Sequence, residues 1–186
     1  MKKVILTIIA LLVLSIDTVF AENLDKYSSD GRIQSALNLL NDTNAIEVFD
    51  NLKEQKVKIK FYDFSLMGFS YANVHAMKAL SGSQKYILIN SNYKNSPPEA
   101  IACLIVHESF HKLSKPTLEE EILCTTKEAI YWDKLQDETK NYDKNNVLIA
   151  RLNRLSELHS ASCENNDLIR DKIANSPFYQ SQLKPN

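Results

Sequence analysis

At 186 residues, 44% hydrophobic and 24% charged, the chain has the apolar content of a folded protein and is neither disordered nor fibrous in composition. A formal net charge of −1 offers no electrostatic pull toward nucleic-acid phosphates or an anionic membrane surface, so neither is an expected partner. With three glycines, no Pro-, Gly- or Ser-rich linker and no internal repeat, nothing divides the chain after residue 21, and residues 22–186 read as one domain.

The first element is a leader. Lys2 and Lys3 form a basic start, Val4 to Ile16 is an apolar run, and Val19-Phe20-Ala21 supplies a signal peptidase site. The run is short of the roughly 20 residues that span a bilayer. Residues 1–21 are therefore expected to be a cleaved signal peptide, leaving an exported protein, periplasmic or extracellular, without stable membrane insertion. Cys103, Cys124 and Cys163 would then meet an oxidising compartment, where one disulfide and one remaining thiol can coexist; the sequence does not choose the pair.

Ile33, Leu37 and Leu40, then Ile46, Val48, Phe49 and Leu52, recur at helical spacing and predict two helices broken near Asn41 to Asn44. From Lys56 the period changes to two, with Val57, Ile59 and Phe61 alternating against lysines, as a half-buried strand requires. Further strands at Ala72 to Leu80 and Tyr86 to Asn90 flank Ser81-Gly82-Ser83-Gln84, a hairpin turn, so the middle of the chain is expected to be a small antiparallel sheet. His75, alone in such a strand, reads as a half-buried polar residue rather than a ligand.

After Ser96 the pattern is helical. Ser96-Pro97-Pro98-Glu99 looks like a capping box with Pro97 at the first helical position, opening a helix that runs to Lys115-Pro116. Thr117-Leu118-Glu119-Glu120 is a second capping box, starting a helix that reaches about Leu135. Helices over Val147 to Leu158 and Asp167 to Ala174 complete an α+β chain.

Within the first of these helices lies His107-Glu108-Ser109-Phe110-His111, an HExxH sequence. Residues four apart share a helix face, so both imidazoles can bind one Zn²⁺ at about 2.0–2.1 Å. Glu108 stands beside them, where a carboxylate can take a proton from a metal-activated water. The preceding Ile101, Ala102, Leu104, Ile105 and Val106 would bury this helix in a core. Cys103, one turn before His107, reads as a small buried side chain.

A catalytic zinc needs a third protein ligand. Glu121 is the choice, because it flanks the apolar stripe of Leu118, Ile122, Thr125 and Ala129, whereas Glu120 sits where the capping box uses it locally. Glu119, Glu120 and, further along, Glu157 or His159 remain alternatives. Tyr93, Tyr131, Arg151 and His159 are candidates to stabilise an oxyanion, and the residues do not choose among them.

Over Tyr86 to Trp132 the chain resembles the zincin metallopeptidases, in their glutamate-ligand gluzincin group: a strand, an HExxH helix and a following helix with Glu121-Ile122-Leu123-Cys124. The resemblance is specific at His107, Glu108, His111 and Glu121. It implies a minimal zincin-like domain, a small antiparallel sheet packed on the HExxH helix, and a zinc-dependent peptidase acting on peptides or proteins. It also implies one Zn²⁺ on His107, His111 and Glu121, Glu108 as general base, and an edge strand at Tyr86 to Asn90 that pairs with substrate, an interior strand being the alternative. Cys124 departs from the usual Ala, the spacing from His111 to Glu121 is short, and no third His follows as metzincins require. A non-catalytic exported zincin-like domain, binding a partner with zinc structural or absent, is the competing expectation. A metal-free helical binding protein is a third.

Overall fold

The structure is a computed structural model describing residues 23–68, 71, 73–112, 116–137, 139–143, 145–162 and 166–182. The expected leader at 1–21 and Cys163 lie outside the described residues.

Helix α1 (Gly31–Asp42) opens on Asp30, whose carboxylate accepts from the Arg32 and Ile33 amides, and buries Ile33, Ala36, Leu37 and Leu40. Asn44, with a positive φ of 54°, ends the segment as the sequence predicts, and α2 (Ile46–Glu54) buries Val48, Phe49 and Leu52. Strand β1 (Val57–Tyr62) alternates as predicted, with Val57 and Ile59 buried and Lys58 and Lys60 exposed. Strands β2 (Ala76–Ser81) and β3 (Gln84–Asn90) form a hairpin on the two-residue turn Gly82-Ser83, whose glycine has a φ of +60°.

The sheet corrects one expectation. Its order is β1-β3-β2, and only β2 and β3 are antiparallel; β1 runs parallel to β3, from Val57 opposite Lys85 to Tyr62 opposite Asn90. The alternation of side chains reports which face is buried and is silent on strand direction. The connection between β1 and β2, which includes a 3₁₀ turn over Phe64–Met67, carries the chain past the position of β3, so the hairpin returns β3 to the middle. Tyr86 to Asn90 is thus the central strand, not an edge.

Helix α3 (Pro98–Phe110) is the centre of the molecule. Every residue from Glu99 to Phe110 is buried, against α1, α2, the sheet and α4 (Leu118–Leu135). Its start also differs from expectation: Pro97 is the cap, Pro98 the first helical residue, and no side chain caps it. The Ser96 amide, which Glu99 would have accepted from in a capping box, donates to Tyr93 O at 2.9 Å, and Glu99 instead pairs with Lys140. Two consecutive prolines remove amide donors that a cap would serve.

Thr117 caps α4 as predicted, accepting from the Glu120 amide at 3.2 Å. Helices α5 (Val147–Ala161), α6 (Asp167–Ala174) and α7 (Pro177–Gln182) follow. The main core runs from Ile33 through Ile87, Ile101, Ile105 and Trp132 to Leu152. A second, smaller cluster of Ile122, Ile169 and Ile173, with Leu118, Leu158 and Tyr179 against it, joins α4 to the C-terminal helices. The architecture is mixed α+β. Among the described residues no helix is long and apolar enough to cross a membrane.

Candidate metal centre

The HExxH sequence lies at the point where α3 leaves the core. The helix ends at Phe110 rather than near Lys115, and His111 is its C-cap, with extended backbone at φ −64° and ψ 128°. Side chains satisfy the carbonyls that this end leaves open. Lys78 Nζ, from β2, donates to His111 O and to Gln55 Oε1, while Gln55 Nε2 donates to Ser109 O at 3.0 Å.

The two imidazoles nevertheless converge, with Nε2 of His107 and Nε2 of His111 3.1 Å apart. Glu121, in the first turns of α4, brings Oε2 to 3.7 Å from His107 Nε2 and Oε1 to 3.5 Å from His111 Nε2. All three residues are buried, and together they form a group that can hold a metal ion. A tetrahedral shell with ligand distances of about 2.0–2.1 Å has corners about 3.3–3.4 Å apart; the three separations bracket that value. Glu121 Oε2 is buried with no hydrogen-bond partner, as an atom reserved for a cation would be.

The far side of each ring is also held. His107 Nδ1 lies 3.0 Å from Glu128 Oε2, which places a proton on Nδ1 and turns the Nε2 lone pair toward the centre. Glu128 is fully buried and receives both arms of the Arg151 guanidinium, Nη2 to Oε2 at 2.8 Å and Nη1 to Oε1. His111 Nδ1 faces Glu120 Oε1 at 3.3 Å and Cys124 Sγ at 3.6 Å, and Glu120 Oε1 also accepts from the Lys112 amide at 2.6 Å.

Burial pushes the Glu108 carboxyl up to about 7, with His107 and Lys78 opposing the shift and Glu121 and Glu128 adding to it. Those neighbours place Glu108 in the field of the cluster. Burial raises Glu121 as well, and lowers His111 to about 3 with help from His107 and Lys78. For His107 burial works against charge, but the hydrogen bond and charge of Glu128 outweigh it and the net shift is upward. Burial likewise opposes the Glu128 carboxylate, and Arg151 overrides it, holding Glu128 down at about 2.

Of the alternative ligands, Glu120 sits on the Nδ1 side of His111 and the others lie elsewhere. Glu119 pairs with Arg170 at the surface, at 2.8 and 2.9 Å, Glu157 with Arg154 at 2.9 Å, and His159 Nδ1 with Asn166 at 3.1 Å. Of the oxyanion candidates, Tyr131 is packed in the main core, His159 is held on Asn166, and Arg151 serves Glu128. Tyr93 stacks on His75, with centroids 5.1 Å apart. His75 is half-buried as expected, and its pKa falls to about 4, through burial first and then Arg151. Cys103 and Cys124 are buried free thiols, so the two do not bridge each other.

Sequence reading missed Glu128, Lys78 and the role of Glu120. The signal for Glu128 was present: seven residues after Glu121, it falls two turns further along the same face. Lys78 carried no such signal, because its placement on the inner face opposite Ile87 follows from strand register. No protein family, curated protein or solved structure matches the chain.

Proposed function

We propose that the chain is an exported zinc metallopeptidase of the zincin type, cleaving peptide bonds in peptides or proteins. His107, His111 and Glu121 would hold one Zn²⁺, and Glu108 would be the general base. The observation that carries this reading is the convergence of two Nε2 atoms and one carboxylate, from two helices, at separations of 3.1–3.7 Å beside a buried glutamate.

The donor set supports a catalytic rather than a structural role. A structural zinc is closed by four protein ligands. Among the described residues the cluster has three, and Cys124, the nearest thiol, lies on the Nδ1 side of His111. A Zn²⁺ held there would polarise a peptide carbonyl and acidify a water. Glu108 would take a proton from that water on a carboxylate oxygen and deliver it to the leaving amine nitrogen.

A peptide substrate would pair with a different strand from the one expected. With β3 interior, the outer edges belong to β1 and β2, and that of β1 is engaged where the Ile59 amide donates to Tyr27 O at 2.8 Å. Strand β1 carries Lys58 and Lys60, a common protection against unwanted pairing. Strand β2 reads Ala-Met-Lys-Ala-Leu-Ser, and its Lys78 reaches the HExxH segment at His111 O. Among the described residues no backbone group pairs with its outer edge, so an extended peptide would add there.

The test is Glu108→Gln in the zinc-loaded protein. Peptide hydrolysis should fall by about 10²–10⁴-fold while zinc stays bound. Equal turnover in the variant, or failure of the wild-type chain to retain zinc, would remove the assignment.

A further inference from the structure

The last torsion of a glutamate and the ring torsion of a histidine are broad and roughly two-fold, so neither side chain sets its own plane. On the outer side of His107 both planes need a partner to decide them. Glu128 is fully buried on α4, and among the described residues its hydrogen-bond partners are two side chains, His107 and Arg151. Among those residues no main-chain amide donates to it, in contrast to Glu120, whose Oε1 receives the Lys112 amide at 2.6 Å. The plane of the Glu128 carboxylate therefore follows the Arg151 guanidinium.

Arg151 comes from α5, a helix held in the core by Leu148, Ile149, Leu152 and Leu155. Two residues on, Asn153 Oδ1 accepts from Trp132 Nε1 at 2.9 Å, a second tie between α5 and α4. The guanidinium thus has a fixed base. It donates Nη2 to Glu128 Oε2 at 2.8 Å and Nη1 to Oε1, and Oε2 is the oxygen that lies 3.0 Å from His107 Nδ1. A planar fork on both oxygens fixes the carboxylate plane, which a point charge does not.

We propose, on the metal-centre reading given above, that Arg151 is a positioning residue of the centre, acting through Glu128 on the tilt of the His107 ring. Its charge alone would compensate the buried carboxylate. The fork does more, because it aims Oε2 at His107 Nδ1 and so directs the Nε2 lone pair to the point shared with His111 and Glu121. The two roles separate in Arg151→Lys, which keeps the positive charge and loses the fork.

The experiment uses the full chain in four forms, wild type, R151K, E128Q and the double variant, each first checked for a cooperative urea transition without metal. Zn²⁺ affinity is measured by competition with a chromophoric chelator, and ligand geometry by the visible spectrum of the Co²⁺-substituted protein. Outer partners of a metal-binding histidine typically contribute 10–100-fold to affinity. R151K should bind Zn²⁺ about 10-fold more weakly, with altered Co²⁺ bands. In the E128Q background the same change should cost nothing further, because no carboxylate is left for the fork to hold. Should R151K fail to give a folded chain, R151Q, whose planar amide can donate to one carboxylate oxygen, takes its place with the same expectations. Wild-type affinity and unmoved Co²⁺ bands in R151K, or an equal loss with and without the Glu128 carboxylate, would overturn the proposal and leave the metal centre standing. A wild-type chain that takes up no Zn²⁺ would remove the metal centre and the proposal together.

Discussion

Four glutamates of α4, three of them consecutive, show how position along a helix decides what a carboxylate does. Glu119 points to the surface and Arg170, Glu120 to the Lys112 amide and His111 Nδ1, Glu121 to both imidazole Nε2 atoms, and Glu128 to His107 Nδ1 and Arg151. Glu121 is the one among them with a buried oxygen lacking any partner, which is why it suits a cation. His75 poses a simpler electrostatic problem. Its ordinary pKa of 6.5 falls to about 4 in the folded chain, because burial and then Arg151 disfavour its charge. Unfolded, the imidazole takes a proton below about 6.5 that the folded protein refuses until about 4, so stability is full above that window and declines as pH drops through it. The loss should be on the order of 2 kcal/mol between about pH 7 and about pH 4.5. His75→Phe keeps a ring against Tyr93 and should abolish that share; urea unfolding at the two pH values measures it, and an undiminished loss in the variant would acquit His75.

At the scale of elements, the end of α3 is set by residues remote in sequence. Lys78 and Gln55 occupy the last carbonyls, and the chain turns out of the helix at His111. Lys78→Met should keep the apolar stem and release the His111 main chain. Relief from burying an ammonium, whose pKa burial lowers to about 8, offsets much of the lost hydrogen bond, so stability should change by only about 1 kcal/mol. Zn²⁺ affinity should fall about 10-fold, since His111 loses its anchor; equal affinity by chelator competition would show that the clamp is idle. Nothing local announced this clamp, which is why the sequence pattern carried α3 on toward Lys115. The same division runs through the fold. Elements with their own period or cap were legible, such as α1 and α2 around Asn44, the Gly82-Ser83 hairpin, and α4 behind Thr117. The central place of β3 and its parallel pairing with β1 were not, because alternation encodes burial and leaves partner and direction open. The site divides likewise: His107, Glu108, His111 and Glu121 follow from spacing on helices, whereas Lys78 and Arg151 arrive from other elements.

At the scale of the molecule, the interior holds, among the described residues, Glu99, Glu108, Glu121 and Glu128, four buried carboxyl groups that need compensation. Lys140 answers Glu99, Arg151 answers Glu128, and Lys78 lies in the field of Glu108. Among the described residues the ion-pair partners of Glu121 are the two imidazoles, whose Nε2 atoms also face each other. A divalent cation would resolve both conflicts at once, and folding and metal binding should therefore be linked. A ligand of the folded state at about 100 times its Kd stabilises by about 2.7 kcal/mol. For a chain of this size that is a rise in melting temperature of about 5–10 °C. Zn²⁺ should produce the shift and a chelator reverse it, while Mg²⁺ and Ca²⁺, which prefer oxygen donors, should not reproduce it. The shift should persist in Glu108→Gln, since that residue is not a ligand, and vanish in Glu121→Ala. Calorimetry showing the same melting temperature with and without Zn²⁺ would mean that the three donors balance one another without an ion, through a shared proton between the imidazoles and the carboxylate.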